Sequence, residues 1–340
     1  MSEFASEPSA QGEPLLSVSD LAVEFRTEDG VARALDGVSF DVHAGEVVAI
    51  VGESGSGKSV TALSVLGLLR QPPARVLGGE VLLRGRDVLA MSRRELRAVR
   101  GTEVAMIFQD PMTALNPVHR VGRQIAEMIR LHSRVSARAA NARAVELLDL
   151  VGVAQPATRA RQYPHEFSGG MRQRAMIAMA IANNPALLIA DEPTTALDVT
   201  IQAQVLELLR TAQQETGAAT VLITHDLGVV AEMAERVLVM YAGRIVERAD
   251  VRQLFARPRH PYTVGLLESV PRLDVETQEL TPIPGSPPSL LVRRPGCPFA
   301  PRCALRRSLC DEERPPLVDI GDGRASACHF HEELEAAHAG

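Results

Sequence analysis

Val47-Val48-Ala49-Ile50-Val51-Gly52-Glu53-Ser54-Gly55-Ser56-Gly57-Lys58-Ser59-Val60 contains a strand, a loop and the start of a helix. The apolar run Val47 to Val51 predicts a buried strand. Small residues from Gly52 to Ser59 interrupt it, and Val60 to Leu69 then takes helical spacing with Gly67 as its one breaker. That order supplies the context required by the pattern G-x-x-x-x-G-K-[ST]. The glycines let backbone N–H groups turn inward around phosphate oxygens, and the helix start adds positive potential. Lys58 reaches the terminal phosphates and Ser59 can ligate Mg²⁺. Glu53, Ser54, Gly55, Ser56, Gly57 and Val60 complete the candidate nucleotide-binding run. A flexible surface loop would share its composition but not its flanks.

Upstream, Leu16–Phe25 and Val38–Val42 alternate apolar and polar positions, as peripheral strands do. Downstream, Asn116 to Val153 is rich in Ala, Arg, Leu and Glu at helical spacing and predicts a mostly helical subdomain, bounded at about 110–168. Strand patterns return at Ala186–Ala190, Thr220–Thr224 and Arg236–Tyr241, separated by helical stretches at Ile201–Gln214 and Leu227–Ala234. Alternation of this kind favours a parallel sheet covered on both faces. The strand Ala186–Ala190 ends in Asp191-Glu192-Pro193, presenting two carboxylates beside the phosphate loop. Asp191 is then the candidate Mg²⁺ holder and Glu192 the candidate base or water-orienting group. Taken alone, such an acidic pair is an ordinary helix cap or solvated turn.

Phe167-Ser168-Gly169-Gly170-Met171-Arg172-Gln173, 23 residues before Asp191, narrows the family. It resembles the ABC signature, usually LSGGQ, with Phe and Met standing at its first and last positions. Ser168, Gly169 and Gly170 suit a second anion-binding helix start. The resemblance to ABC cassettes runs from about Leu16 to Leu254. It implies a P-loop NTPase of the α/β class with a RecA-like parallel-sheet core, an antiparallel β subdomain and a helical subdomain. Gln109 resembles the Q-loop glutamine that senses Mg²⁺ and water, and His225 the switch histidine at the γ-phosphate. Thr195-Ala196-Leu197-Asp198 resembles the D-loop, and Phe25 the aromatic that stacks on adenine. Lys58, Gln109, Glu192 and His225 are thereby the expected catalytic set, with Ser59, Gln109 and Asp191 around Mg²⁺. The resemblance further implies that ATP is sandwiched between two cassettes. This chain carries one.

Beyond about Ala256 the composition changes: 12 of the 22 prolines lie in the final 85 residues, which disfavours long helices and central strands. All four cysteines, Cys297, Cys303, Cys310 and Cys328, fall there too, spaced C-x₅-C-x₆-C-x₁₇-C. Gln109-Asp-Pro-Met-Thr-Ala-Leu-Asn-Pro-Val118, the signature peptide and His260-Pro-Tyr262 all resemble the oligopeptide/dipeptide/nickel importer branch. Some members of that branch hold a [4Fe–4S] cluster on four such cysteines. Four thiolates suit that cluster or structural Zn²⁺, with His329 and His331 near enough to substitute in a zinc site; unligated thiols or a disulfide are the remaining readings. The expected organisation is a tail (1–14), a cassette (15–255) and a C-terminal extension (256–340).

A net charge of −6 from interspersed acids and bases gives no basic face for nucleic acid. No apolar run approaches the roughly 20 residues of a membrane span, and the N-terminal stretch lacks signal-peptide character. The expected location is the cytoplasmic face of the cell membrane. The implied partners are a second, related ATPase forming a heterodimer, two permease subunits and an extracytoplasmic solute-binding protein. Peptides lead as cargo, with nickel or another small solute as the alternative. A soluble ABC ATPase of DNA repair or translation would need a long coiled-coil insertion or a second cassette, and the sequence has neither. A P-loop kinase or switch GTPase is disfavoured by the signature peptide.

Overall fold

The computed structural model describes residues 12–195, 199–269, 282–292 and 294–338. Ala196, Leu197 and Asp198, three of the four expected D-loop positions, lie outside the described residues, as does the tail through residue 11.

Strands β1 (Leu16–Thr27) and β2 (Gly30–Val42) pair antiparallel, and β3 (Val47–Val51) follows them. After the helix Lys58–Val65 come β4 (Ala74–Leu83) and β5 (Arg86–Asp87), which join β1 and β2 in one antiparallel sheet of order β2-β1-β4-β5. The second sheet contains β6 (Val104–Ile107), β7 (Leu187–Asp191), β8 (Ala219–Thr224), β9 (Arg236–Tyr241), β10 (Arg244–Asp250), β11 (Val318–Gly321) and β12 (Arg324–Ser326). Its order among the described residues is β11-β12-β10-β9-β3-β8-β7-β6. Strands β9, β3, β8, β7 and β6 run parallel, whereas β10, β11 and β12 are antiparallel to their neighbours.

The parallel strands are apolar on both faces because both are covered. Along β3, Val48 and Ile50 face the core shared with the antiparallel sheet, while Ala49 and Val51 face the C-terminal side. Along β7, Ile189 faces the former and Leu188 and Ala190 face the helical subdomain. That subdomain is built on the helices Val121–His132 and Ala137–Leu150, which bury Ile125, Ala144 and Leu147 against the signature helix Gly169–Ala180. Ser136 separates the two by capping the second, its Oγ accepting from the Ala139 N–H at 3.2 Å. The helix after the phosphate loop stops at Val65, short of the expected Leu69, because Gly67 turns left-handed (φ +60°).

The proline-rich extension is more firmly joined to the cassette than its composition suggests. β12 pairs with β10 through Glu247–Ser326 and Arg248–Ala325, so two short strands extend the cassette's own sheet. Tyr241 at the end of β9, Tyr262 and Phe299 pack ring to ring with centroids 4.6–5.4 Å apart. All three are buried, so the extension is tied to the cassette by an aromatic core.

Candidate functional site: the phosphate loop and its carboxylates

Parallel pairing brings the carboxyl ends of β3, β6, β7 and β8 to one edge of the sheet, where ligands of such sheets bind. The segments leaving that edge carry Gly52–Gly57, Gln109, Glu192 and His225. They border a cleft of about 920 Å³ lined also by Phe25, Ser54, Gly55, Lys58, Ser59 and Val60. Gly52 (φ +154°) lies so close to β9 that a Cβ would meet the Met240 carbonyl at 2.2 Å, and a Cβ on Gly57 (φ +108°) would meet the Leu35 side chain at 2.8 Å and the Ala34 carbonyl at 2.9 Å. Only glycine fits either place.

Within the loop, Lys58 Nζ donates to the Gly52 carbonyl at 2.8 Å and to the Glu53 carbonyl at 3.1 Å. Burial pulls the Lys58 pKa down, while Glu192, Asp191 and Glu53 oppose that shift. Among the described residues, Ser56 Oγ is buried without a hydrogen-bond partner. Ser59 Oγ donates to Asp191 Oδ1 at 3.1 Å. Burial raises the Asp191 pKa and the neighbouring Glu192 charge adds to the rise; the Ser59 hydrogen bond and Lys58 hold it back. A hydroxyl beside a carboxylate, with an orphaned hydroxyl nearby, is an oxygen set that fits a hard cation and phosphate.

Glu192 sits between Gln109 and His225. Its Oε2 accepts from Gln109 Nε2 and from Thr195 Oγ1, each at 2.9 Å, and its Oε1 lies 3.4 Å from His225 Nδ1. The Glu192 backbone is left-handed (φ +46°), a costly conformation for a residue with a side chain. A hydrogen bond of 2.8 Å from its N–H to the Ile223 carbonyl helps hold it there.

Ser168, Gly169 and Gly170 do not line this cleft. They start the signature helix, where Ser168 Oγ caps the Met171 N–H at 3.3 Å and a Cβ on Gly169 would meet open space. Gln173 of that helix donates to the Pro193 carbonyl at 2.8 Å, joining the signature to the residue after Glu192.

Several wall residues were not legible as site residues. Ile283, Gly285, Ser286 and Leu290 of the extension line the cleft, and Arg302 reaches its Glu53 from 249 positions away. No local pattern marks such a pairing. The four cysteines line one small cavity with His260, Phe299 and Phe330, and none is disulfide-bonded. Burial, then the other three thiols, push Cys328 up to about 11; Cys297 and Cys303 are raised chiefly by burial. His329 Nε2 lies 3.0 Å from the Glu313 carbonyl and His331 Nδ1 3.0 Å from the Cys328 carbonyl, so both rings are engaged by backbone. Among the described residues no group of three or more His, Cys, Asp or Glu is arranged to hold a metal ion. The metal expectation therefore rests on donor chemistry and the shared cavity alone. No helix among the described residues is long and apolar enough to cross a membrane.

Comparison with known proteins agrees with this geometry. The ABC transporter family matches residues 35–195, and the oligopeptide/dipeptide transporter C-terminal region matches residues 246–310. A probable peptide ABC transporter ATP-binding protein of Sinorhizobium fredii is 57% identical over 321 residues, covering 94% of this chain and 96% of that protein. The dipeptide transport ATP-binding protein DppD of Bacillus subtilis is 51% identical over 327 residues, covering 96% of this chain and 97% of that protein. A dimeric, post-hydrolysis ATP-binding cassette bound to ADP and Pi superposes with a TM-score of 0.63 at 27% identity, covering 70% of this chain and 99% of that one. With a phosphate loop, a carboxylate pair and a signature helix on this fold, and with similarity running nearly end to end, the chain belongs to the ATP-hydrolysing ATP-binding proteins of ABC transporters, in the group that carries the oligopeptide/dipeptide C-terminal region.

Proposed function

We propose that this chain powers import of oligopeptides or dipeptides, hydrolysing ATP at the cytoplasmic face of the cell membrane. The observation that carries the catalytic part is the Glu192 carboxylate, placed between Gln109, Thr195 and His225 across from Lys58 and Ser59. The peptide cargo is supported by the names of the relatives, a probable peptide ABC transporter ATP-binding protein and a dipeptide transport ATP-binding protein, and by the matched C-terminal region.

In this reading Gly52 to Ser59 cradle the phosphates and Lys58 pairs with the terminal ones. Phe25 stacks on the base. Glu192 accepts a proton from the attacking water or orients it, Gln109 and Thr195 fix the carboxylate, and His225 contacts the γ-phosphate. Ser59, Asp191 and Gln109 would hold Mg²⁺, which when bound neutralises phosphate charge. Ser168, Gly169 and Gly170, being outside their own chain's cleft, face a second cassette and close its ATP site; Asp198, outside the described residues, is the D-loop position that carries signals between the two. The second cassette is a related ATPase; two permeases and an extracytoplasmic solute-binding protein complete the importer. The cassette spans 15–255, with its helical subdomain at about 110–168, and the extension spans 256–340. Cys297, Cys303, Cys310 and Cys328 would hold a [4Fe–4S] cluster: four thiols meet at one largely apolar cavity, and the neighbouring histidine rings bond to backbone instead.

Uptake of a labelled tripeptide by cells carrying the complete importer tests the function. Lys58→Ala should abolish uptake, and restoring wild-type protein should recover it. Unchanged uptake without this chain would refute the peptide assignment.

A further inference from the structure

The C-terminal extension reaches the nucleotide site at one residue of the phosphate loop. Glu53 is held at three points. Its carboxylate accepts a bidentate pair from Arg302, at 2.6 Å from Nη1 and 2.9 Å from Nη2. Its N–H donates to the Tyr262 hydroxyl at 2.8 Å, and its carbonyl accepts from Lys58 at 3.1 Å. Arg302 is itself immobilised: its side chain is only 4% exposed, Nε donates to the Pro284 carbonyl at 2.8 Å, and the guanidinium lies 5.9 Å from the Tyr241 ring centroid. Tyr262 is fully buried against Tyr241 and Phe299.

The cost of fixing an Arg side chain is normally set against the strength of its ion pair. Here the fork is already ordered by the extension, so the pair acts on the loop. The loop needs such restraint, because three of its first six residues are glycines at positive φ and would otherwise sample many conformations. We propose that Arg302 and Tyr262 are positioning residues for ATP: together they form a clamp from the C-terminal extension that fixes Glu53 and so holds the phosphate loop ready for the triphosphate. The clamp raises affinity by preorganisation, since the loop need not be ordered when the nucleotide arrives. Arg302 ends the turn Ala300–Arg302, between Cys297 and Cys303, and Tyr262 lies in the helix Pro261–Glu268; both act on Glu53 and touch no reacting atom. The inference rests on the nucleotide reading of the cleft.

The test is MgATP binding by the full chain, at a temperature where circular dichroism shows every variant folded. Arg302→Gln should raise Kd roughly tenfold or more, as loss of a charge-assisted pair implies. Glu53→Gln should do the same, and the double variant should be no weaker than the weaker single one, because both remove one interaction. Tyr262→Phe should also raise Kd, and amide exchange at Gly52–Gly57 should quicken in each clamp variant without nucleotide. Arg306→Gln, which breaks an exposed pair with Asp311 in the same extension, should leave Kd unchanged. A purely structural role would lower the melting temperature without moving Kd below it. Kd values for Arg302→Gln and Tyr262→Phe within twofold of wild type, or fully additive effects of Arg302→Gln and Glu53→Gln, would overturn the clamp. Lys58→Ala separates the two readings: if it binds MgATP like wild type, the cleft is not the nucleotide site, whereas its loss of binding beside an unaffected Arg302→Gln defeats the clamp alone.

Discussion

Replacing Glu192 by Gln removes a proton acceptor while leaving its surroundings almost unaltered. Oε2 accepts from Gln109 and Thr195 at 2.9 Å, so the amide oxygen of Gln can take that position and keep both bonds. The amide nitrogen then occupies the place of Oε1, 3.4 Å from His225 Nδ1, where a neutral imidazole can accept from it. The left-handed backbone at residue 192 strains Gln as much as Glu, so the loop has no reason to move. Phosphate contacts from Gly52 to Ser59 are untouched, and MgATP affinity should stay within about threefold of wild type, under 1 kcal/mol. Turnover should fall by about 10²–10⁴, the usual contribution of a positioned general base, or about 3–5 kcal/mol in activation free energy. Phosphate release and nucleotide binding, measured on the same preparation, resolve the two effects. Turnover within tenfold of wild type would mean that another group activates the water. A large loss of ATP affinity would mean that the carboxylate serves the loop instead.

Two further outcomes are expected. Protein purified without oxygen should contain iron and acid-labile sulfide with absorbance near about 400 nm, lost on Cys310→Ser; stoichiometric zinc without iron would refute the cluster assignment. Glu247 is 1% exposed, and burial, outweighing the opposing influence of the nearby Thr263 hydroxyl and of the Arg259 N–H that donates to it, raises its pKa to about 7. Its contribution to stability is therefore complete below the ordinary value of 4.5 and is lost as pH rises through about 7. Glu247→Gln should match wild type in thermal unfolding at pH 4 and exceed it at pH 8 by up to about 3 kcal/mol. An equal difference at both pH values would show that Glu247 ionises freely in the folded protein.

The nucleotide half of the site was legible because its chemistry is local. Gly52 to Ser59 needs only a strand before it and a helix after it, and Asp191-Glu192 needs only a buried strand. Strands β4 and β10 were not anticipated. Gly78 and Gly79 dilute the pattern of β4, and β10 carries Arg244, Glu247, Arg248 and Asp250 among its seven residues. Antiparallel strands are selected by their neighbours more than by intrinsic preference.

By itself the sequence determined the parallel core, the order of the chemical motifs and the concentration of thiols in one extension, since each is a property of residues close together in the chain. Only the tertiary structure decided that Gln109 and His225 meet on Glu192, that the signature residues turn away from their own cleft, and that Arg302 grips Glu53. Those juxtapositions arise from strand order and from packing of the Tyr241, Tyr262 and Phe299 rings. The free energy of such contacts depends on distances between residues up to 249 positions apart, which no local spacing encodes.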